Sequence, residues 1–394
     1  MADPPERCDL AVVGAGILGL SVAGELARRH PARTVCVLER EAAPAAGQSG
    51  HNSGVIHAGI YYAPGSLKAR LCVEGARAMY EYCARRGIPH ARCGKVIVAT
   101  GPGELGRLDE LERRGARNRV AGLRRLDARA LRELEPHAAG VAALHSPNTG
   151  VVDFAAVTRA LADDLRAAGG VVAYGCGVRR LEDGPRAVRL GHDRGTLEAR
   201  AAVVCAGVAA DRLAVPAGAD PDPRIVPFRG AYLRLRPERR ELVRSLIYPV
   251  PDPRLPFLGA HLTRDIHGDV LIGPTALLAP PRGGVRDLLG WPGIWRLCAA
   301  HWRAGLTELL HAAVPAVLVR DAARLVPGLR LADVEPAFAG VRAQAVGRDG
   351  RLVDEFVFAV TRRALHVRNA PSPGATASLA IARHVADQAD RAFA

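Results

Sequence analysis

The first residues able to do chemistry are glycines. Gly14, Gly16 and Gly19 stand in Gly14-Ala15-Gly16-Ile17-Leu18-Gly19, the G-x-G-x-x-G spacing that lets a backbone turn approach a pyrophosphate. Gly14 makes the tight turn, Gly16 allows the close approach, and Gly19 lets the following helix pack on its strand. Ile17 and Leu18 open that helix, whose N-terminus offers N–H groups and partial positive charge to phosphate oxygens. Glu39, twenty residues beyond Gly19, is placed to accept hydrogen bonds from ribose hydroxyls, with Arg40 next to it. An acid there would repel the 2′-phosphate of NADP, while FAD and NAD both remain compatible.

Residues 47–62, GQSGHNSGVIHAGIYY, come directly after the second apolar strand. A nicotinamide dehydrogenase normally continues at this point with a helix and a third strand. A loop rich in glycine and serine can instead run along a longer cofactor and pack against an isoalloxazine ring. That favours FAD, with Ser49, His51, Asn52, Ser53 and Gly54 as cofactor-side candidates. His51 and His57 lie in this loop, and Tyr61 and Tyr62 close it.

The elements that must hold these residues are readable from periodicity. Leu10 to Val13 is a short buried strand, Leu20, Ala23, Leu26 and Ala27 form one helix face, and Thr34 to Leu38 is a second strand. Leu67, Leu71, Cys72, Met79, Tyr80 and Cys83 recur with helical spacing until Gly87 and Pro89 end that helix. Ala201 to Gly207 reads as an apolar strand ending in glycine, and VVAYGCGV as a glycine-bounded strand running into Val178. Asn369-Ala-Pro-Ser-Pro-Gly-Ala-Thr-Ala-Ser opens a last helix, with Ser372 or Thr376 as its expected cap. Between these lie strand-and-turn stretches at 94–100, 227–237 and 258–275, with a hairpin turn expected from Asp265 to Asp269. A helical stretch carrying Leu297, Ala300, His301, Ala304 and Leu309 follows. The fold class expected is α/β, a Rossmann-like FAD-binding domain with an interleaved α+β substrate domain built on an antiparallel sheet. The cofactor domain is placed at 1–90, 150–220 and 335–394, and the substrate domain at 91–149 and 221–334.

Bulk properties limit the alternatives. A chain of 394 residues suits two interleaved domains, and 49% hydrophobic against 24% charged residues is a globular balance. The net charge of +14 raises a nucleic-acid reading. Yet all basic residues except Lys68 and Lys95 are arginines, scattered among alanines without long blocks, and aromatics are only 4%. Composition bias accounts for that better than an RNA groove, so no specific nucleic-acid partner is expected. The cysteines (Cys8, Cys36, Cys72, Cys83, Cys93, Cys176, Cys205, Cys298) show no C-x-x-C pair or metal spacing, so no metal is expected and a reducing compartment is. No apolar run reaches the ~20 residues needed to span a bilayer. A cytoplasmic location is expected, with peripheral membrane contact still compatible and the oligomeric state open.

GAGILGL followed by GQSGHNSGVIHAGIYYAPGSLKARLC resembles the N-terminal signature of L-2-hydroxyglutarate oxidases and dehydrogenases, within the D-amino-acid-oxidase-like flavoproteins. The likeness continues at 224–230, 247–264, 339–356 and 365–381, in order, over nearly the whole chain. It implies FAD and oxidation of a small L-2-hydroxy acid to the 2-oxo acid, by hydride transfer to flavin N5. It also implies that backbone at Val178 meets the adenine, and that Ala206 and Gly207 approach the dinucleotide. The turn Pro373, Gly374, Ala375 and Thr376 then aims the last helix at the flavin N1/O2 edge. Such chemistry needs a base for the hydroxyl proton and cations for the carboxylates. His57 and His261 are the candidate bases, with His51 and His366 read as more structural. Arg264 and Arg342, in blocks shared with the family, are the candidate carboxylate ligands, and Tyr62 and Tyr232 candidate pocket residues.

The chain departs from the family pattern at Ala231, Leu233, Thr275 and Gly374, and the segment after Leu278 is shorter. These changes cluster in the substrate half, so a related metabolite stays open as substrate. A flavin-dependent amine or amino-acid oxidase is the main alternative. An FAD-containing RNA-binding protein and a flavoprotein without turnover come behind it. Oxygen and a quinone are both compatible as electron acceptor.

Overall fold

A computed structural model describes residues 3–253, 258–280 and 288–393. The segment after Leu278 falls mostly outside them. The opening unit forms as its pattern dictates. Arg7–Val13 is a strand buried from Leu10 onward, Ile17–Arg29 a helix that buries Leu20, Ala23, Leu26 and Ala27, and Val35–Leu38 a fully buried strand parallel to the first.

Five strands run parallel in the order Val171–Ala173, Val35–Leu38, Arg7–Val13, Gly195–Val204, Ala364–Asn369. Val178–Asp183 and Val188–His192 join antiparallel on one side, and Val357–Val360 pairs with Ala364–Asn369. Successive residues point to opposite faces. Val12, Val37 and Val203 therefore pack under the first helix, Phe154–Ala167 and the last helix Ser378–Phe393, while Val13, Leu38 and Val204 line the other face. Parallel sheets are normally covered on both faces, and these short apolar strands satisfy that demand.

A second sheet runs Leu277–Leu278, Arg224–Leu235, Val270–Gly273, His261–Arg264, Leu246–Pro249, Lys95–Ala99, Ala142–Ser146, Arg124–Asp127. It is antiparallel except where Leu246–Pro249 runs parallel to Lys95–Ala99, the seam between its two chain segments. The hairpin at Asp265 to Asp269 is present, with Asp265 Oδ1 accepting the N–H groups of His267 and Asp269. The helical stretch after it is two helices, Pro292–Ala300 and Trp302–Ala313, separated at His301. Val334–Val346 pairs along Arg224–Leu235, so hydrogen bonds cross the boundary drawn at 335. A small third sheet joins Val55–Ile56, Gly150–Val152 and His90–Ala91.

The helix Leu67–Arg85 starts at Ser66, whose hydroxyl accepts the Ala69 N–H. It passes very close to the start of the last helix. A Cβ on Gly75 would lie 2.5 Å from Ala377 Cα, so only glycine permits the approach.

Candidate active site

The glycine turn is built as a cradle. Gly14 has φ +103, and a Cβ there would lie 2.6 Å from the Cys205 carbonyl; one on Gly19 would lie 1.9 Å from the Gly14 carbonyl. Backbone therefore meets backbone where a side chain would block it. Ala206 and Gly207 follow Cys205, next to this turn. Glu39 Oε2 accepts the Ala15 N–H at 2.6 Å and Oε1 the Glu41 N–H at 2.9 Å, which fixes its carboxylate beside the turn. Each oxygen keeps a further lone pair for a ribose hydroxyl. Arg40 pairs with Glu41. A Cβ on Gly177 would touch Arg40 Cβ at 2.9 Å, so Arg40 and Val178 flank one spot beyond Glu39.

In the 47–62 loop, Ser49 Oγ accepts the Ile17 N–H at 2.9 Å, so it engages the helix N-terminus while its own proton stays available. Asn52 is a loop staple. Its amide donates to the Gln48 and Ser49 carbonyls and its Oδ1 accepts the Gly54 N–H. His51 is exposed, with Nδ1 bonded to the Gly47 carbonyl, and its own carbonyl packs on Gly340.

Thr376 departs from the expected cap. Its hydroxyl donates to the Val55 carbonyl and accepts the His57 N–H, both at 3.1 Å. The residue thus clamps the loop to the last helix. The Ser372 side chain lies close enough to the Tyr62 hydroxyl to influence it, so Tyr62 borders the turn at 371–376. A Cβ on Gly374 would lie 2.8 Å from the Ala370 carbonyl, so glycine at this departure from the family suits the tight local path.

His57 and His261 come together. Both are influenced by the charges of Lys95 and Arg342, and His57 also by His261 and Lys68. Burial holds His57 down to about 3 and His261 down to about 4, with the neighbouring cations adding to it. The His261 Nδ1–H donates to the Gly259 carbonyl at 2.9 Å, and its ring lies 4.1 Å from that of Tyr248. That bond sets the tautomer and leaves the lone pair on Nε2. His57 Nδ1 and the Tyr61 hydroxyl are buried without a hydrogen-bond partner among the described residues.

Arg342 projects from Val334–Val346 and its charge reaches His57, His261 and Tyr248. Arg264 is not brought there. On its strand it alternates with His261 and Thr263, and its guanidinium donates to the Val243 carbonyl. Tyr232 packs on Phe338 and lies near Tyr248. Leu233 points into the core of the second sheet with Leu262 and Ile272, so this departure does not face the histidines. Ala231 and Thr275 touch each other, exchanging two 3.0 Å bonds. His366 is fully buried in its strand of the first sheet, where its charged neighbours are Asp183 and Arg368.

Lys95, Tyr248 and Thr263 belong to this cluster and were not singled out in the sequence. Lys95 is 1% exposed and its ammonium sits over the rings of Tyr61 (4.4 Å) and Tyr248 (5.0 Å). Lys68 lies over the Tyr62 ring and pairs with Asp354 at 2.5 Å. A signal for Lys95 existed: in a chain whose basic residues are otherwise all arginine, both lysines are buried beside His57.

The family model for FAD-dependent oxidoreductases matches residues 9–388. The chain belongs to the FAD-dependent oxidoreductase family. It is 45% identical to the mitochondrial L-2-hydroxyglutarate dehydrogenase of Nematostella vectensis, covering 99% of this chain and 92% of that protein. It is 42% identical to the human mitochondrial enzyme of that name (98% and 89%) and 43% to the Escherichia coli K12 enzyme (96% and 92%). In fold it is similar to FAD-bound L-α-glycerophosphate oxidase from Mycoplasma pneumoniae, with TM-score 0.82 at 22% identity over 98% and 95% of the two chains. FAD is the cofactor of the family, and the cradle described above fits it. Gly14 and Gly19 leave no room for side chains, Glu39 stands beside the turn, and the helix of Ile17–Arg29 begins there. Among the described residues no cluster suits a metal ion.

Proposed function

We propose that this oxidoreductase converts L-2-hydroxyglutarate, a small dianionic 2-hydroxy acid, to its 2-oxo acid. The reading is supported by relatives of that name at 42–45% identity over nearly the full chain. The observation that carries it is the cluster itself: two buried neutral imidazoles beside Arg342, in a setting that favours negative charge. His261 is the preferred base. Its Nδ1–H is fixed on Gly259, so Nε2 is the nitrogen able to take the hydroxyl proton. His57, neutral and held by the Thr376 clamp, is the second candidate. A dianion entering beside them raises both imidazoles toward the working range, since opposite charge favours the protonated form. Arg342 can hold a carboxylate with two parallel hydrogen bonds. Bound FAD supplies the hydride acceptor. Gly14, Gly16, Gly19, Glu39, Ala206, Gly207 and the turn at 373–376 are the residues that would hold it.

No helix among the described residues is long and apolar enough to cross a membrane, and all eight cysteines are unpaired. On the cysteines we place the chain in a reducing compartment such as the cytoplasm. The test of function is anaerobic mixing of the purified holoenzyme with L-2-hydroxyglutarate, its D-enantiomer and a set of L-amino acids. Flavin absorbance should bleach with the L-hydroxy acid alone. Bleaching only by amino acids would replace this reading with an amine oxidase.

A further inference from the structure

Lys95 has no role in the reading above, and its surroundings are unusual. It lies in the strand Lys95–Ala99, at the seam of the second sheet, opposite Leu246 on one side and Ser146 on the other. The titratable groups around it are His57 and Tyr61 from the 47–62 loop, Cys72 from the second helix, Tyr248 from Leu246–Pro249 and His261 from the next strand. None is a carboxylate. Among the described residues the ammonium forms no hydrogen bond or ion pair, and its contacts are two aromatic faces. Lys68, the other lysine, has Asp354. A buried cation without a counter-charge is costly, and cation–π contact offsets only part of that.

We propose that Lys95 binds a carboxylate of the substrate and takes up a proton from solvent as that carboxylate arrives. This rests on the reading that the substrate is an anionic hydroxy acid. Composition is an independent argument. Arginine stands at every Lys/Arg position except Lys95 and the Asp354-paired Lys68, yet a guanidinium stays charged under all working conditions while a buried ammonium can release its proton. Lysine is therefore the residue for a site that must be neutral when empty and charged when filled. Burial pushes the Lys95 ammonium down to about 7, so charged and neutral forms compete near neutral pH. An anion beside it favours the charged form and restores the ordinary lysine range. The step moves one proton from solvent to Nζ and involves no electron transfer.

The test uses oxidised holoenzyme and glutarate, a dicarboxylate lacking the reactive hydroxyl, with affinity measured by titration calorimetry. Wild type should lose about tenfold in affinity per pH unit above about 7, with proton uptake visible as a dependence of heat on buffer ionisation enthalpy. Lys95→Met should bind glutarate about a hundredfold more weakly or worse, without that pH limb. Lys95→Arg should keep binding and lose the limb, because its charge persists. A wild-type limb that survives in Lys95→Arg overturns the inference, even if Lys95→Met does not fold. Unchanged glutarate affinity in a folded Lys95→Met, with an altered flavin reduction potential, overturns it in favour of a cofactor role. Wild-type enzyme that L-2-hydroxyglutarate does not reduce would sink the functional reading instead, so the two failures are distinguishable.

Discussion

At the scale of single residues, charge states decide what each histidine can do. His57 and His261 stay unprotonated far below the ordinary imidazole range, because burial and nearby cations both oppose a positive ring. The second-order rate constant for anaerobic flavin reduction reports free-enzyme groups. On the acid side it should therefore show no limb near the usual histidine value and should fall only as pH approaches about 4, while above about 7 it should fall as Lys95 loses its charge. An acid limb at the ordinary imidazole value would mean that neither ring is the base. His261→Ala should slow reduction by about 10²–10⁴ with flavin still bound, and His57→Ala should do so if it shares the role. Normal rates in both variants would remove the base assignment. The histidines were visible because they sit in distinctive motifs. Arg264 looked equivalent to Arg342 because position in a shared block says nothing of which face of a strand a residue occupies. Lys95 lies in an ordinary apolar strand, GKVIVAT, and its meaning appears only against a background in which all Lys/Arg residues but it and Lys68 are arginine.

At the scale of elements, local pattern was a good guide and long-range contact was not. The βαβ unit, the helix of Leu67–Arg85, the hairpin at Asp265 and the last helix follow from periodicity and turn chemistry. Serine or threonine near a helix start commonly caps it, which makes Ser372 or Thr376 the expected cap. Instead the loop at 55–57 supplies a nearer donor and acceptor, and the hydroxyl takes both. Thr376→Val keeps the shape and removes both bonds, leaving the Val55 carbonyl and the His57 N–H without this partner. It should cost about 1–3 kcal/mol, read as a lower urea midpoint, and should loosen retention of FAD on gel filtration. Thr376→Ser should behave like wild type. Equal midpoints for all three proteins would show that the clamp carries no weight. The close approach of Gly75 to Ala377 gives the same lesson: nothing near Gly75 in sequence announces that another helix passes there.

At the scale of the whole molecule, two chain segments share one sheet through the parallel pair Lys95–Ala99 and Leu246–Pro249. Pairing between segments so far apart leaves no trace in local periodicity, so their seam is not legible in the sequence. Large buried cores also enclose titratable groups, and this links folding to pH. His366 is fully buried, its Nδ1 lacks a partner among the described residues, and burial holds it down to about 4. Between about 4 and the unfolded value of about 6.5, the unfolded chain binds more protons than the native one at this residue. Stability therefore rises with pH across that window. The contribution is fully present above the unfolded value and is lost as pH falls toward the native one. His57 and His261 act in the same direction, and the net charge of +14 adds self-repulsion on acidification. A falling urea midpoint in wild type is thus expected but does not isolate any one cause. His366→Leu does, because it removes a titrating group outside the active cluster and fills the space with an apolar side chain. Its urea midpoint should decline less steeply than that of wild type between pH 6.5 and about 4. Parallel declines would mean that His366 is protonated equally in the folded and unfolded chains, contrary to its burial.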